Sequence, residues 1–232
     1  MFKRVNENED NKMTASEVLQ IWDKIKVAKD LNSAFENNSE LQLLTVLKNN
    51  SFLFYELYSR KWGVQPVFHE IEFGGGLRCD FAWLNDNSDG PEWVLVEVEK
   101  PKLEIFKKDG EPTQFFNHAM EQVKSWRRYF NENASEKRRI FGAVGRFKFI
   151  LVAGDGESWS TEKAAKWRID HNKETEIEIR STNVFYKALT ILETQPEELW
   201  SFAENPKSLK PSELKKYWEG YNYMDKWRQW IS

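Results

Sequence analysis

The sequence contains one cysteine, Cys79, in 232 residues. A lone thiol excludes an internal disulfide framework and a cysteine-rich zinc site, and it fits a reducing, cytoplasmic setting. Nowhere do about 18 uncharged apolar residues run together, and no apolar run follows the basic residues of the opening MFKRVNENEDNK. Neither a membrane span nor an export signal is therefore expected. An excess of one charge is missing too. Thirty-four Lys and Arg face 37 Asp and Glu, a formal charge of -3, so any nucleic-acid surface must be local. Gly74-Gly75-Gly76 lacks the Lys-Ser/Thr that a phosphate-cradling loop needs and reads as a hairpin turn. The segment GDGESW, 154–159, follows a strand without a dinucleotide fingerprint, which weighs against a Rossmann-like small-molecule enzyme on residues 146–181. The histidines His69, His118 and His171 have no ligand spacing, and no serine sits in a nucleophile elbow.

What is present is an α/β pattern. Hydrophobic residues make up 40% of the chain, enough for one large core with helical extensions at both ends. Apolar spacing predicts a helix from Thr14 to Lys29, opened by a capping box of Thr14 and Glu17, and one long helix or two from Ser39 to Arg60, joined near Asn49-Asn50. The period then changes to that of strands: PVFHEIEF from Pro66, LRCDFAWL from Leu77 and EWVLVEVEK from Glu92, the last preceded by a loop NDNSDGP. A helix is expected from Gln114 to Phe130, with Phe116, Ala119, Val123, Trp126 and Phe130 on one stripe and Gln122 at its border. A basic loop containing Lys137-Arg138-Arg139 follows. RFKFILVA from Arg146, TEKAAKWRID from Thr161 and EIEIRS from Glu176 form a β-α-β unit. Asn183 to Leu192 should be helical, and two further helices open at Pro196 and Pro211.

The chemistry concentrates between Cys79 and Pro101. In a strand, Glu97 and Glu99 share the face of Trp93 and Leu95. If that strand pairs with the one carrying Asp80, three carboxylates meet, an unfavourable arrangement in an apolar sheet unless a cation neutralises them. Hard oxygen donors on rigid strands suit Mg²⁺ or Mn²⁺, and such an ion serves phosphodiester hydrolysis. The bland alternative is a solvated sheet face, since alternation alone produces Glu-x-Glu. Glu56 and Glu70 could add to the site but are more simply surface acids. Cys79, adjacent to Asp80, is most simply a core residue on the other face.

The order of a helix, the strand with Asp80-Phe81, the strand VEVEKP of 96–101, and the helix with Ala119, Gln122 and Trp126 resembles the PD-(D/E)xK nuclease superfamily, and within it is similar to the Shedu anti-phage nuclease domain. FKFILVAG, 147–154, and EIEIRSTNVFYKAL, 176–189, match the later elements, so the resemblance covers roughly Phe52 to Leu192. It implies a restriction-endonuclease-like mixed sheet flanked by helices over residues 52–192, between a helical extension (1–51) and an aromatic helical tail (193–232). It further implies a metal-dependent DNA nuclease in anti-phage defence, acting as a homo-oligomer that the aromatic tail helps assemble. Asp80 and Glu97 would bind the metal, and Glu99 would bind it or take a proton from the attacking water. Gln122 would position the site, or be a border amide bonded to backbone. One position departs from the family pattern: Glu99 stands where a lysine is usual, and the lysine follows at Lys100, which alternation turns to the opposite face unless the strand bulges. A nuclease fold that only binds nucleic acid or a protein partner is the alternative. Between residues 118 and 148 basic residues exceed acidic ones by five, and Lys124, Arg127, Arg128, Lys137, Arg138 and Arg139 are the candidate DNA contacts; the alternative is a solvated helix with a basic loop.

Overall fold

The computed structural model describes residues 12–231; the leader at residues 1–11 lies outside them. Five strands form one mixed sheet in sequence order: β1 (Phe68–Gly74), β2 (Leu77–Asn87), β3 (Gly90–Val98), β4 (Arg146–Val152) and β5 (Ile177–Arg180). The first three are antiparallel neighbours and the last three parallel. Parallel neighbours require crossovers. Helices α4 (Gln114–Glu132) and α5 (Ala134–Phe141) make the first, and α6 (Glu162–Glu174) the second. The chain is thus an α/β protein with a mixed sheet flanked by helices and with helical ends, as expected.

Two apolar layers cover the sheet. On one face Phe81, Trp83, Val94, Val96, Ile150 and Val152 pack with α1 (Ala15–Ile21), α2 (Lys24–Glu36), α3 (Glu40–Asn49), the 3-10 helix Ser51–Leu57 and α7 (Asn183–Thr194). On the other, Ala82, Leu84, Trp93, Leu95 and Leu151 pack with α4, α5, α9 (Pro211–Gly220) and α10 (Asn222–Trp230); the short α8 (Trp200–Ala203) joins the first layer. Residues on both sides of positions 52 and 192 share these layers. The expected stripe of α4 is buried, and Thr113 caps its start through Phe116 N–H at 3.2 Å.

Several local expectations are corrected. The first helix breaks at Trp22-Asp23 because the Asp23 carboxylate accepts the N–H groups of Ile25 and Lys26, which starts α2 afresh. The segment NDNSDGP is not a loop. Asn87 pairs with Gly90, so only Ser88 and Asp89 turn, and Asn85 donates to Glu92 Oε1 at 2.8 Å across the extended hairpin. Lys137-Arg138-Arg139 lie in α5, whose burial comes from Ile140 and Phe141 at its end. Cys79 is fully buried but packs in the same layer as Ala82 and Leu84, because regular alternation is lost beside Glu70, a non-glycine residue of β1 with φ +52°. Gly74-Gly75-Gly76 does turn the β1–β2 hairpin, with φ of +117°, +61° and +77°. Among the described residues no helix is long and apolar enough to cross a membrane.

Candidate active site

The acids meet where β2 and β3 part. The β2–β3 ladder ends at the pair Phe81–Val96, and the Asp80 carboxylate accepts the Val98 N–H at 2.9 Å just past that end. Glu97 follows Val96 on β3, and its Oε1 accepts a hydrogen bond from the Gln122 amide of α4. Its Oε2 is buried without a partner. Asp80 and Glu97 are 7% and 8% exposed, so two carboxylates stand almost wholly outside water.

Burial raises the Asp80 carboxyl from an ordinary 3.8 to about 6, against the opposing pull of the Val98 N–H. Burial also raises Glu97 well above its usual range, and the charges of Asp80, Glu99 and Glu40 push it further. Glu99 is lifted to about 7, first by burial and then by Glu40 and Asp80. These three acids and Gln122 share one cavity, although Asp80, Glu97 and Glu99 do not close into a three-carboxylate cluster. They line a cavity of about 940 Å³ with Glu40, Glu72, Arg78, His118, Glu121 and Ser125, among others. Lys100 is not in that lining. The strand stops at Val98, and the Lys100 ammonium sits 5.2 Å from the centre of the Phe115 ring, close enough to favour the ionised forms of Glu99 and Glu40.

Glu40, in the first turn of α3, is the site residue that sequence reasoning missed. Partial desolvation raises its carboxyl too, although the residue remains exposed at the cavity rim. A helix start at Ser39 was legible, and the Ser39 side chain caps α3 there; the placement of Glu40 opposite Asp80, forty residues away in sequence, was not legible. Neither Glu56 nor Glu70 lines the cavity. Glu70 pairs with Lys48 at 3.1 Å.

The donor chemistry fits a hard divalent cation. Two desolvated carboxylates side by side, one with an unpartnered oxygen, gain from a positive charge between them. Among the described residues no three His, Cys, Asp or Glu side chains are gathered tightly enough to ring an ion alone. Two protein carboxylates, with water completing the shell, match the habit of Mg²⁺.

The candidate DNA contacts are distributed over α4 and α5. Lys124 and Arg128 pair with Glu121 at 2.8 and 3.4 Å, Arg127 with Glu176 at 3.2 Å, and Arg139 with Glu136 at 2.7 Å. Arg138 donates to the Ile231 carbonyl oxygen at 3.5 Å, and Lys137 is half-buried in α5. Glu176, together with Glu178 and Asp89, which hold Lys148 and Arg146, lies outside the basic segment 118–148. The local surplus is therefore partly offset in space.

The family model for the C-terminal region of the Shedu protein SduA matches residues 37–186. The chain belongs to the Shedu family. The match begins before Phe52, so it takes in α3 and Glu40 as well as the sheet. No curated protein matches the chain. Shedu membership links the protein to anti-phage defence.

Proposed function

We propose that this Shedu-family chain is a Mg²⁺- or Mn²⁺-dependent nuclease that hydrolyses phosphodiester bonds of DNA in cytoplasmic anti-phage defence. The observation that carries the reading is the unpartnered, buried Glu97 Oε2 beside Asp80 in an acidic cavity. Asp80 and Glu97 hold the cation, and Glu99 completes its surroundings or acts as base. When bound, the cation neutralises the phosphate and makes its bound water more acidic. A carboxylate titrating near 7, as Glu99 does, is matched to accepting a proton from water at neutral pH. Gln122 fixes the Glu97 carboxylate in one orientation by its hydrogen bond. Lys124, Arg127, Arg128, Lys137, Arg138 and Arg139 contact the DNA backbone. Exposed ion pairs are worth about 0–1 kcal/mol, so phosphates displace their acidic partners at little cost. A homo-oligomer is part of the proposal, and Trp230, 67% exposed at the chain's end, is available to it.

The test is cleavage of linear and circular DNA in Mg²⁺, Mn²⁺ and EDTA by the wild-type chain, Asp80→Ala and Glu97→Ala. Cation-dependent cutting by the wild type and a loss of 100-fold or more in both variants is expected. Full activity in either variant would sink the assignment. Glu99 also supports a second reading, a nuclease fold that retains nucleic acid or a protein partner without cutting. Retention of DNA without cleavage in either cation is its signature.

A further inference from the structure

A phosphodiester is an anion, and the cavity it would have to enter is lined by six carboxylates: Glu40, Glu72, Asp80, Glu97, Glu99 and Glu121. Those of the six that are ionised and unpaired oppose an anion, so positive charge facing the cavity favours its entry. The lining contains one guanidinium, Arg78, and one imidazole, His118; Glu121 at its rim is already paired with Lys124 and Arg128, so Arg78 is the cation among the lining side chains nearest Asp80 in sequence. Lys100 lies outside it, against Phe115.

Arg78 is well placed for the task. It lies on β2 two residues before Asp80 and pairs across the ladder with Glu72, so its backbone is fixed at the cavity wall. Its side chain is 52% exposed, and its nearest salt-bridge partner, Glu70, is 3.8 Å away, too far for a hydrogen bond. The guanidinium is therefore anchored at its base and loosely held at its tip. Arg78 also stands where the cavity meets a neighbouring groove, since Arg78 and Glu72 line both, and that groove carries Arg139 and Lys215.

We infer that Arg78 is the phosphate-binding group of this cavity, gripping the non-bridging oxygens of the phosphodiester next to Asp80 and Glu97, with the flanking strand running into the groove of Arg139 and Lys215. The inference rests on the nuclease reading. A guanidinium suits the role because its planar fork makes two parallel N–H bonds to phosphate oxygens and keeps its charge at every accessible pH.

The experiment is a double-mutant cycle of wild type, Arg78→Ala, Glu99→Lys and the double variant, with Arg78→Lys alongside. Cleavage of linear duplex is read in Mg²⁺ and Mn²⁺. Duplex affinity is read over a range of salt with Ca²⁺ replacing Mg²⁺. Arg78→Ala should cut at least tenfold more slowly, and the slope of log affinity against log salt should become shallower by about 0.9, the loss of one phosphate contact. Arg78→Lys should keep most of that slope. Because a lysine at position 99 puts another cation into the same cavity, Arg78→Ala should cost at least tenfold less when Glu99→Lys is already present. Unfolding midpoints within a degree or two confirm that the variants are folded. A wild-type chain that neither cuts nor binds DNA overturns the nuclease reading and this inference with it. A wild-type chain that cuts or binds, with Arg78→Ala matching it in rate and salt slope, overturns the Arg78 assignment alone, as does an equal Arg78→Ala cost in both backgrounds.

Discussion

Replacing Asp80 by Asn should stabilise the protein in neutral solution free of divalent cations. The amide oxygen can still accept the Val98 N–H, so the change removes charge while keeping the contact. In the fold the Asp80 carboxyl titrates at about 6 instead of 3.8. Between those values the folded chain binds more protons than the unfolded one, so stability falls as pH rises through the window and stays reduced above it. A rise of about two pH units at about 1.4 kcal/mol each gives about 3 kcal/mol lost by neutral pH. Roughly half of that is already lost by pH 5, and about a third falls between pH 5 and 6. Glu97 and Glu99, raised in the same direction, add to the loss, and Glu99 extends it towards pH 7. Urea unfolding of wild type and Asp80→Asn at pH 5 and pH 8 in EDTA reads the effect. The variant should be the more stable protein at pH 8, by up to about 3 kcal/mol, and the advantage should shrink at pH 5. Mg²⁺ at a hundred times its dissociation constant should raise wild-type stability by about 2.7 kcal/mol and the variant by much less. A variant no more stable than wild type at pH 8, or one stabilised equally by Mg²⁺, would refute the reasoning.

Gly142→Ala should destabilise the chain by about 1–3 kcal/mol, because φ there is +74° and a Cβ would meet the Trp218 ring at 2.6 Å; urea midpoints read it. Tyr221→Phe removes the hydroxyl that hydrogen-bonds to Asp86 and Gln65 and ties the C-terminal helices to the end of β2, at a cost of about 1–2 kcal/mol in the same assay. Gln122→Ala leaves the Glu97 carboxylate with neither oxygen hydrogen-bonded. It should lower the maximal cleavage rate about tenfold with little change in DNA affinity. Arg138→Glu with Arg139→Glu should weaken DNA binding and flatten its salt dependence by about two contacts, which a filter-binding series in salt would measure.

The sheet was legible because its strands are apolar on at least one face, and because Gly74-Gly75-Gly76 can adopt the positive φ that a tight turn needs. The long hairpin was not. NDNSDGP is polar enough to read as a loop, and only its cross-strand backbone bonds and the Asn85–Glu92 pair make it sheet. Helix α5 was hidden for the opposite reason: its three consecutive basic residues carry no apolar period, and its anchoring comes from Phe141 and from the Trp218 indole, which donates to the Ile140 carbonyl oxygen from 78 residues away. The tail's aromatics illustrate the same point. Tyr217, Trp218, Tyr221, Tyr223 and Trp227 pack against the chain's own sheet layer, a use that composition cannot distinguish from self-association. In the site, alternation correctly grouped Glu97 with Glu99, and the strand order brought Asp80 to them. Glu40 needed the whole N-terminal layer to be folded before it could face them.

The position of the cavity follows from how β3 chooses its neighbours. It stays paired with β4 to its last residue, Val98 opposite Val152, and the Glu99 N–H still donates to the Val152 carbonyl oxygen at 2.9 Å. Its pairing with β2 stops two residues earlier, at Val96. The Val98 N–H facing β2 would be left unsatisfied in a buried setting, and Asp80 satisfies it with a side-chain oxygen. One carboxylate thus does the structural work of a missing ladder bond while standing next to Glu97. That bond favours the charged form of Asp80, whereas burial disfavours it, and the two opposing effects leave the group near 6. The gap between the strands is therefore both the reason the acids can approach one another and the reason they remain poised to ionise. Asp80→Ala breaks the backbone closure and the charge together, while Asp80→Asn breaks the charge alone, so the difference between those two variants in stability and in cleavage separates what holds the strands from what acts on a phosphate.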